Sequence, residues 1–389
     1  MASWIPVLRT HLVIPALAVL TTLGPPIGHP ALEVQENRLL LTTGAGRTFH
    51  IAPGGNDSAD GSALHPWATI QHAADAVAPG DTVHVAPGQY RAAVVTRTSG
   101  EATHRIRFIS HDHWGAHIQT TGSDFSWTNH GDYVDIQGFD ITGDGRIGIL
   151  NNASHVKIVG NHVHDIPAIN TGSNGGAGID NGNYSAHDSD IIGNVVNKIG
   201  TIDPAKPNHS IHGIYIANLG GHVWNNIVYR CQAYGIHAWH AARNATIANN
   251  LVFENGVGGI IVGAGDSPGG IIADNFVVSN NIVINNYGYG ILEEGRTGTH
   301  NRYLNNLVYG NKSGAFRLQN GNVDRGTVVA DPKLINYQCD GTGDYHLSAQ
   351  SRCINAGTSQ RAPTRDYDGV QRPKGSGFDI GPFEWVPRH

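Results

Sequence analysis

Short runs of β-branched residues, bounded by Asn and Gly, recur along the chain and predict strands joined by tight turns. One phrase, Asn-Asn followed by Ile or Leu and then Val, begins at Asn225, Asn249, Asn280 and Asn305, with looser copies at Asn161 and Asn194. A second phrase, Gly-Ile, recurs 22 to 35 residues apart and begins at Gly148, Gly178, Gly213, Gly235, Gly259 and Gly290. No repeat has the spacing of an amphipathic helix.

A repeat of this length predicts an all-β fold, the single-stranded right-handed parallel β-helix. This is a solenoid whose coils stack about 4.8 Å apart. The Ile of each Gly-Ile phrase is expected to face the core. We interpret the repeated Asn as turn residues that hydrogen-bond along the stack. We interpret the Gly as a turn residue too, because glycine adopts positive φ at little steric cost.

Both ends of the chain depart from the repeat and are predicted to cap the solenoid. Apolar residues at helical spacing between Pro66 and Val77 predict an N-terminal capping helix, and residues 81–85 predict the first coil strand. The coils are expected to continue to about residue 330. The tail is predicted to form an irregular C-terminal cap, since exposed strand edges invite association.

Composition supports this fold and bears on location. The chain has 389 residues, 51 of them Gly, only 14% charged residues and a net charge of −6, which argues against a nucleic-acid partner. Arg9 precedes an apolar run that is too short and too Pro-interrupted to span a membrane. We therefore predict a signal peptide at 1–30, an extended lead-in at 31–46 and one β-helix domain at 47–389. The mature protein is expected to be secreted or periplasmic, monomeric and without a membrane segment.

Three cysteines are present. Cys339 and Cys353 flank a turn-rich segment, and an oxidising compartment would allow them to pair. Cys231 would then be left over and is expected to be buried in a coil. No cysteine pair has the spacing of zinc ligands.

Two phrases near the start and one near the end resemble a known superfamily. Ala52-Pro53-Gly54-Gly55-Asn56-Asp57 and the later Pro79-Gly80-Asp81-Thr82-Val83 are similar to the N-terminal signature of pectate-lyase-like β-helix proteins. The segment Asp379-Ile380-Gly381, followed by Phe383-Glu384, is similar to the end of many secreted members. The resemblance implies the fold and a polysaccharide partner. It leaves the activity open, because the superfamily includes lyases, hydrolases, epimerases and binding proteins.

Alignment of the coils on Gly-Ile predicts a site that no linear motif reveals. The residue after each inward Ile should point outward, and this column reads Leu150, Asp180, Tyr215, His237, Ile261, Leu292. Three consecutive coils thus present a carboxylate, a phenol and an imidazole. Two residues further along, Trp239 is expected beside His237, with small neighbours that leave room for a ligand.

These side chains match the needs of β-elimination from a uronate. The reaction needs a base, an acid and a group that offsets the substrate carboxylate, and histidine titrates near neutrality. The leading hypothesis is a secreted, metal-independent polysaccharide lyase. His237 would act as base and Tyr215 as acid, or with roles exchanged, while Trp239 binds sugar and Asp180 or an Arg sets the local charge.

Other polar residues near the central coils are further candidates. His212 and His240 are second-line candidates that equally suit hydrogen-bonded structural histidines. Arg296 and Arg317 would hold a substrate carboxylate or be solvated surface charges.

Three alternatives to the lyase stay open. A glycoside hydrolase would use two carboxylates from Asp180, Glu293 and Glu294, and their separation would set the stereochemistry. A non-catalytic carbohydrate-binding or surface protein and an epimerase are the others.

Motifs of related enzymes that are absent from this sequence argue against particular reaction mechanisms. Some pectate-lyase-like enzymes combine a lysine base with calcium held by clustered Asp. Residues 210–311 contain no Lys, and no dense Asp cluster occurs. We therefore expect no cofactor and no metal, with Ca²⁺ possible but not indicated. The Asn-Thr-Asp and Gly-His-Gly phrases of polygalacturonase-type hydrolases and the Asp-Pro-His-Asp phrase of epimerases are also absent.

Overall fold

The computed structural model describes residues 46–168, 175–266 and 268–387. The predicted signal peptide and nearly all of the lead-in therefore lie outside the described residues. Among the described residues, no helix is long and apolar enough to cross a membrane.

One α-helix, one 3₁₀ helix and 31 strands make up the described chain. The α-helix is α1 (Ile70–Ala76), and the 3₁₀ helix covers Pro268–Gly270. The strands are β1 (Thr48–Ile51), β2 (Thr82–Val85), β3 (Gly88–Tyr90), β4 (Val94–Thr96), β5 (Ile106–Ser110), β6 (Ala116–Thr120), β7 (Phe125–Asn129), β8 (Val134–Gln137), β9 (Asp140–Gly143), β10 (Ile147–Asn151), β11 (Lys157–Val159), β12 (His162–Ile166), β13 (Gly176–Asn181), β14 (Asp190–Ile192), β15 (Val195–Ile199), β16 (Ile211–Ile216), β17 (His222–Trp224), β18 (Ile227–Tyr229), β19 (Tyr234–Ala238), β20 (Thr246–Ala248), β21 (Leu251–Phe253), β22 (Gly258–Ala264), β23 (Val277–Ser279), β24 (Ile282–Ile284), β25 (Tyr289–Gly295), β26 (Arg302–Leu304), β27 (Leu307–Tyr309), β28 (Gly314–Arg317), β29 (Asp324–Arg325), β30 (Leu334–Asn336) and β31 (Asp344–Leu347).

Three long parallel sheets form the walls of a solenoid. Sheet A has 11 strands in the order β1-β2-β5-β8-β11-β14-β17-β20-β23-β26-β29. Sheet B has nine, β3-β6-β9-β12-β15-β18-β21-β24-β27, and sheet C has nine, β4-β7-β10-β13-β16-β19-β22-β25-β28. After β1, hydrogen-bonded neighbours are three strands apart in the chain, because each coil adds one strand to each sheet. The predicted right-handed parallel β-helix is confirmed.

The predicted N-terminal helix is confirmed, although it is shorter than the sequence pattern. The Thr69 hydroxyl accepts a hydrogen bond from the His72 backbone N–H and so caps the first turn of α1. Its buried residues Ile70, Ala73 and Ala74 belong to the core that also contains the inward residues of the coils.

The C-terminal tail is irregular after the antiparallel pair β30–β31. It packs on the outer face of sheet B, where Tyr367 and Phe383 join a buried cluster with Tyr229 and Phe253. The tail therefore covers a side of the solenoid, whereas a cap over its end was predicted. A fully buried ion pair between Arg372 and Glu384 lies in this segment; its N–O distance is 2.6 Å.

The Asn repeat forms an unbroken hydrogen-bonded stack, as predicted. Each member donates from its backbone N–H and its side-chain amide to the Oδ1 of the next, along Asn161, Asn194, Asn226, Asn250, Asn281 and Asn306. In the four full copies, the Asn before each stacked residue has a φ of +50° to +56°. One Asn therefore turns the chain, and the other satisfies buried backbone groups.

The predicted role of the Gly in Gly-Ile was wrong. All six glycines lie within the described residues, in strands of sheet C, and none has positive φ. A Cβ on each would meet the inward Val of sheet B at 2.3 to 2.4 Å. These valines are Val163, Val196, Val228, Val252, Val283 and Val308, so glycine is required for close approach of two sheets and not for a turn.

Gly235→Ala is accordingly expected to destabilise the protein by about 1–3 kcal/mol, because the added methyl group overpacks the core. The new Cβ would lie 2.4 Å from Val252 Cγ1. Urea denaturation measures the change. In the double variant Gly235→Ala/Val252→Ala, the two losses should be less than additive; strictly additive losses would contradict the clash.

The cysteine pairing considered from the sequence is not present. All three cysteines are free thiols, with Cys353 buried and Cys339 exposed. Cys231 is buried in a coil, as expected, and its burial raises the pKa of the thiol to about 12.

Candidate functional site

The predicted outward column on sheet C exists in the expected register. Asp180 on β13 pairs with Tyr215 on β16, which pairs with His237 on β19. The inward Ile179, Ile214 and Ile236 beside them are completely buried. The rings of Tyr215 and His237 are 5.3 Å apart, close to the spacing between adjacent parallel strands.

His212 joins this row because of the inward-facing glycine. The missing Cβ of Gly213 and the side chain of Ile214 both face the core, so His212 and Tyr215 share the outer face. The His212 ring lies 5.5 Å from that of Tyr215. Its Nε2 is 2.8 Å from Nδ1 of His237, and a hydrogen bond joins the two buried imidazoles.

These residues form the floor of an open cleft of about 440 Å³. Loops before and after the sheet C strands build its rim. The lining side chains that carry polar or aromatic groups are Arg146, Asp180, Tyr184, His209, Ser210, His212, Tyr215, His237, Trp239, His240 and Asp266. The structure thus brings together Asp180, His212, Tyr215, His237, Trp239 and His240 from the sequence prediction.

Two aromatic residues, Trp239 and Tyr184, follow the C-terminal ends of sheet C strands and line the cleft. The Trp239 ring lies 5.4 Å from that of His237, as expected. Small residues near it were predicted to leave room for a ligand; Gly182 does line the cleft, but the prediction is wrong for Gly263. Added Cβ atoms on Gly263 and Gly265 would meet the indole at 2.3 and 2.7 Å, so these glycines accommodate the Trp239 ring itself. The ring of Tyr184 lies 4.8 Å from that of His240, the residue after Trp239.

Asp180 has a buried carboxyl group whose pKa is raised. Its Oδ1 is buried without a hydrogen-bond partner, and Gly182 provides the space for this atom, because a Cβ there would approach it to 2.5 Å. Desolvation raises the pKa of Asp180 to about 7, although the positive charge of Arg146 acts in the opposite direction. A carboxyl of this kind is partly protonated at neutral pH and can donate a hydrogen bond.

The other three floor residues are neutral near pH 7. Burial lowers the pKa of His212 to about 3, and burial with the neighbouring His212 lowers that of His237 well below its ordinary value. Burial, together with the Asp180 charge, raises the pKa of Tyr215 above that of free tyrosine. Within the described residues, the His237 ring makes one hydrogen bond, between its Nδ1 and His212 Nε2. His237 Nε2 therefore has no protein partner.

Arg146 was missed by the sequence reasoning. It lines the cleft, its Nη1 donates to the Gly175 carbonyl over 3.0 Å, and its Nε is 3.5 Å from an Asp124 carboxylate oxygen. Its position two residues before Gly148 was the available signal.

Four other predicted residues lie outside the cleft lining. Arg296 is exposed beyond the end of β25. Arg317 continues the outward column, but it lies three strand spacings from His237, about 14 Å. Its Nη2 forms an ion pair with Glu294 at 2.8 Å.

Glu293 and Glu294 do not supply a second catalytic carboxylate beside Asp180. Glu293 is completely buried and accepts hydrogen bonds from Asn301, Tyr303, Asn322 and the Gln319 backbone. Glu294 lies four strand spacings from β13, about 19 Å. Glycosidase pairs are about 5 to 9.5 Å apart, so the predicted hydrolase pairs are wrong.

A family model for the Pel9A-like right-handed β-helix region matches residues 49–326, which include every coil that contributes to the cleft. The chain belongs to this Pel9A-like family. A comparison with curated protein sequences gives no match.

Solved structures similar to this Pel9A-like protein have the same fold. Pectate lyase Pel9A matches with a TM-score of 0.62 and 18% identity, over 87% of this chain and 96% of its own. A rhamnogalacturonan lyase matches with a TM-score of 0.57 and 16% identity, over 79% and 96%. An alginate lyase from Paenibacillus sp. matches with a TM-score of 0.54 and 18% identity, over 73% and 95%. At these identities the likeness bears on the fold alone. No lysine is among the described residues that line the cleft of this Pel9A-like protein.

Proposed function

We propose that this protein is a secreted polysaccharide lyase that cleaves a uronate-containing polymer by β-elimination. The observation that supports it most is the row of Asp180, Tyr215 and His237 in one cleft, with pKa shifts that separate an acid from a base. The names of the similar structures, which include pectate, alginate and rhamnogalacturonan lyases, agree with this reaction class. Export through the segment 1–30 is part of the proposal.

His237 is the proposed base. Its depressed pKa keeps the imidazole neutral at pH 7, and the free Nε2 can take the proton from C5 of the uronate. For this tautomer, His237 Nδ1–H donates to His212 Nε2 over 2.8 Å. In this role His212 is a positioning residue, which accepts from Nδ1–H and leaves the lone pair of His237 on Nε2.

Tyr215 is the proposed acid. Its raised pKa keeps the phenol protonated, so it suits donation and does not suit the base role. The electron pair of the C5–H bond forms the C4–C5 double bond, the C4–O4 bond breaks, and O4 takes the proton from Tyr215. The products are an unsaturated uronate and a new hydroxyl end, with no water consumed.

Asp180 and Arg146 offset the substrate carboxylate, on which negative charge increases as C5 loses its proton. The protonated Asp180 carboxyl can donate a hydrogen bond to it, and Arg146 brings a positive charge to the same cleft. Trp239 and Tyr184 offer apolar ring faces for sugar rings.

A panel of acidic and neutral polysaccharides tests this function. Polymers rich in uronate should yield an ultraviolet-absorbing unsaturated product, and neutral glycans should not be cleaved. Cleavage of neutral glycans alone, or binding of acidic polymers without any turnover, would contradict the proposal.

Arg146→Gln is expected to reduce kcat/KM on an acidic polymer by roughly 10- to 100-fold, because a hydrogen bond between charged groups contributes about 1.5–3 kcal/mol. Steady-state kinetics measures the effect. Arg317→Gln is the matched control, since Arg317 is exposed and paired with Glu294. Equal losses in the two variants, or none in Arg146→Gln, would show that Arg146 does not recognise the carboxylate.

A hydrolase remains the second candidate because the cleft lining contains one more carboxylate. Asp266 lies on the rim and is exposed. Paired with Asp180, it would give the two carboxylates that glycoside hydrolysis needs. Asp266→Asn should leave a lyase active and inactivate such a hydrolase.

A further inference from the structure

A second group of titratable side chains lies on sheet B, whereas the cleft is built on sheet C. Asp140 on β9 pairs in register with His117 on β6 and with His162 on β12. His164 follows His162 at a spacing of two, so both imidazoles project from the same face of the strand. Three consecutive coils thus place one carboxylate and three imidazoles together.

The distances suit one small cation. Asp140 Oδ2 lies 3.1 Å from Nδ1 of His162 and 3.1 Å from Nε2 of His164. One ligand atom from each of these three residues lies within 4.8 Å of the others. Tetrahedral zinc binds nitrogen and oxygen at about 2.0–2.2 Å, which separates its ligand atoms by roughly 3.4 Å.

Each of the three residues also has an outer partner. His164 Nδ1 lies 2.7 Å from Asp165 Oδ2, which is the carboxylate–histidine arrangement of metal sites. The Asn197 side-chain amide lies 2.9 Å from Nε2 of His162, and a half-turn of that amide would let it accept the Nε2–H. His117 Nδ1 lies 3.2 Å from the other oxygen of Asp140.

These contacts orient the rings of His162 and His164 so that one nitrogen of each can bind a metal ion. With a metal bound, His164 would donate Nδ1–H to Asp165 and direct the Nε2 lone pair toward the ion. When these ring nitrogens carry no proton, their lone pairs repel the carboxylate unless a metal ion lies between them.

We propose that Asp140, His162 and His164 bind a divalent transition-metal ion of the zinc type, with water as the fourth ligand. Two imidazoles and one carboxylate favour zinc, cobalt or nickel over calcium. The ion joins β9 to β12 and so ties two successive coils. Cysteine pairs and Asp clusters give no signal for this site, because Asp140 lies one coil away from the two histidines.

Metal titration of the whole protein after chelator treatment tests the site. Zinc chloride should bind in one high-affinity step and raise the unfolding temperature by mass action. Cobalt chloride should give the visible absorption of tetrahedral Co²⁺. His164→Gln should weaken zinc binding at least tenfold and abolish both the thermal shift and the cobalt spectrum.

His187→Gln is the matched control. It alters a second group, His155, His187 and Asp188, which also has ligand atoms within 4.8 Å, and it should bind zinc like the wild type. Unchanged zinc affinity in His164→Gln would overturn the proposal. If that variant does not fold, the wild-type cobalt spectrum decides, because its absence would equally overturn the site.

Discussion

His237→Gln is expected to lower kcat on a uronate polymer by about 10²- to 10⁴-fold, the usual contribution of general acid–base catalysis. Gln keeps the size and polarity of the side chain but cannot take a proton. His237 is only 8% exposed and lies in the floor of the cleft. Because a substitution at a buried position can disturb the fold, thermal unfolding of the variant is measured as well. His111→Gln is the matched control, since its side chain is 68% exposed and lies outside the cleft lining.

The two histidines of the pair should differ in effect. His212→Gln can still accept from His237 Nδ1–H, so it is expected to lower kcat less than His237→Gln while KM stays near its wild-type value. A His237→Gln enzyme with more than a tenth of wild-type activity would remove His237 from the base role.

Asp180→Asn is expected to make the protein more stable at about pH 8 while lowering its activity. The folded-state pKa of Asp180 is about 7, raised by desolvation from an ordinary 3.8. Between these values the unfolded chain has lost the proton and the folded protein retains it. Stability from this group is therefore present below about pH 4 and is lost as the pH rises to about 7.

The size of the effect follows from the shift. Three pKa units correspond to about 4 kcal/mol as an upper value, and Asn removes this penalty because it does not ionise. Urea denaturation should show Asp180→Asn more stable than wild type by a few kcal/mol at about pH 8, with little difference at about pH 4. Asp112→Asn, at an exposed carboxylate, should show no such pH-dependent gain.

The activity of Asp180→Asn tests the role of Asp180 independently of stability. Asn still donates a hydrogen bond to the substrate carboxylate, so kcat/KM should fall by about tenfold and not vanish. The loss of wild-type activity above about pH 7, where Asp180 ionises, should be absent in the variant. An unchanged alkaline limb together with unchanged stability would show that Asp180 is an ordinary surface carboxylate.

Period and strand alternation were enough to predict the solenoid and the main row of the cleft. The register of Asp180, Tyr215 and His237 follows from counting residues after each Gly-Ile, because parallel coils align equivalent positions. The same alternation already places Glu293 inward, next to the outward Leu292 and Glu294. A hydrolase pair that includes Glu293 is therefore inconsistent with strand alternation, because Glu293 cannot share the outer face with Asp180.

The remainder of the site depends on local departures from alternation and on loops. Strict alternation places His212 and Tyr215 on opposite faces. They share a face because Gly213 and Ile214 both face the core, where glycine makes room for Val228. Arg146, Tyr184 and Asp266 reach the cleft from coil ends whose conformation the repeat does not specify.

The most direct measurement of the central claim is cleavage of a uronate polymer in oxygen-18-labelled water, followed by mass spectrometry of the products. Elimination breaks the C4–O4 bond without adding water, so we predict unsaturated fragments and new ends free of the label. Incorporation of oxygen-18 at each new reducing end, without an unsaturated partner, would identify hydrolysis and contradict the assignment of Tyr215 and His237 as the acid and base of a lyase.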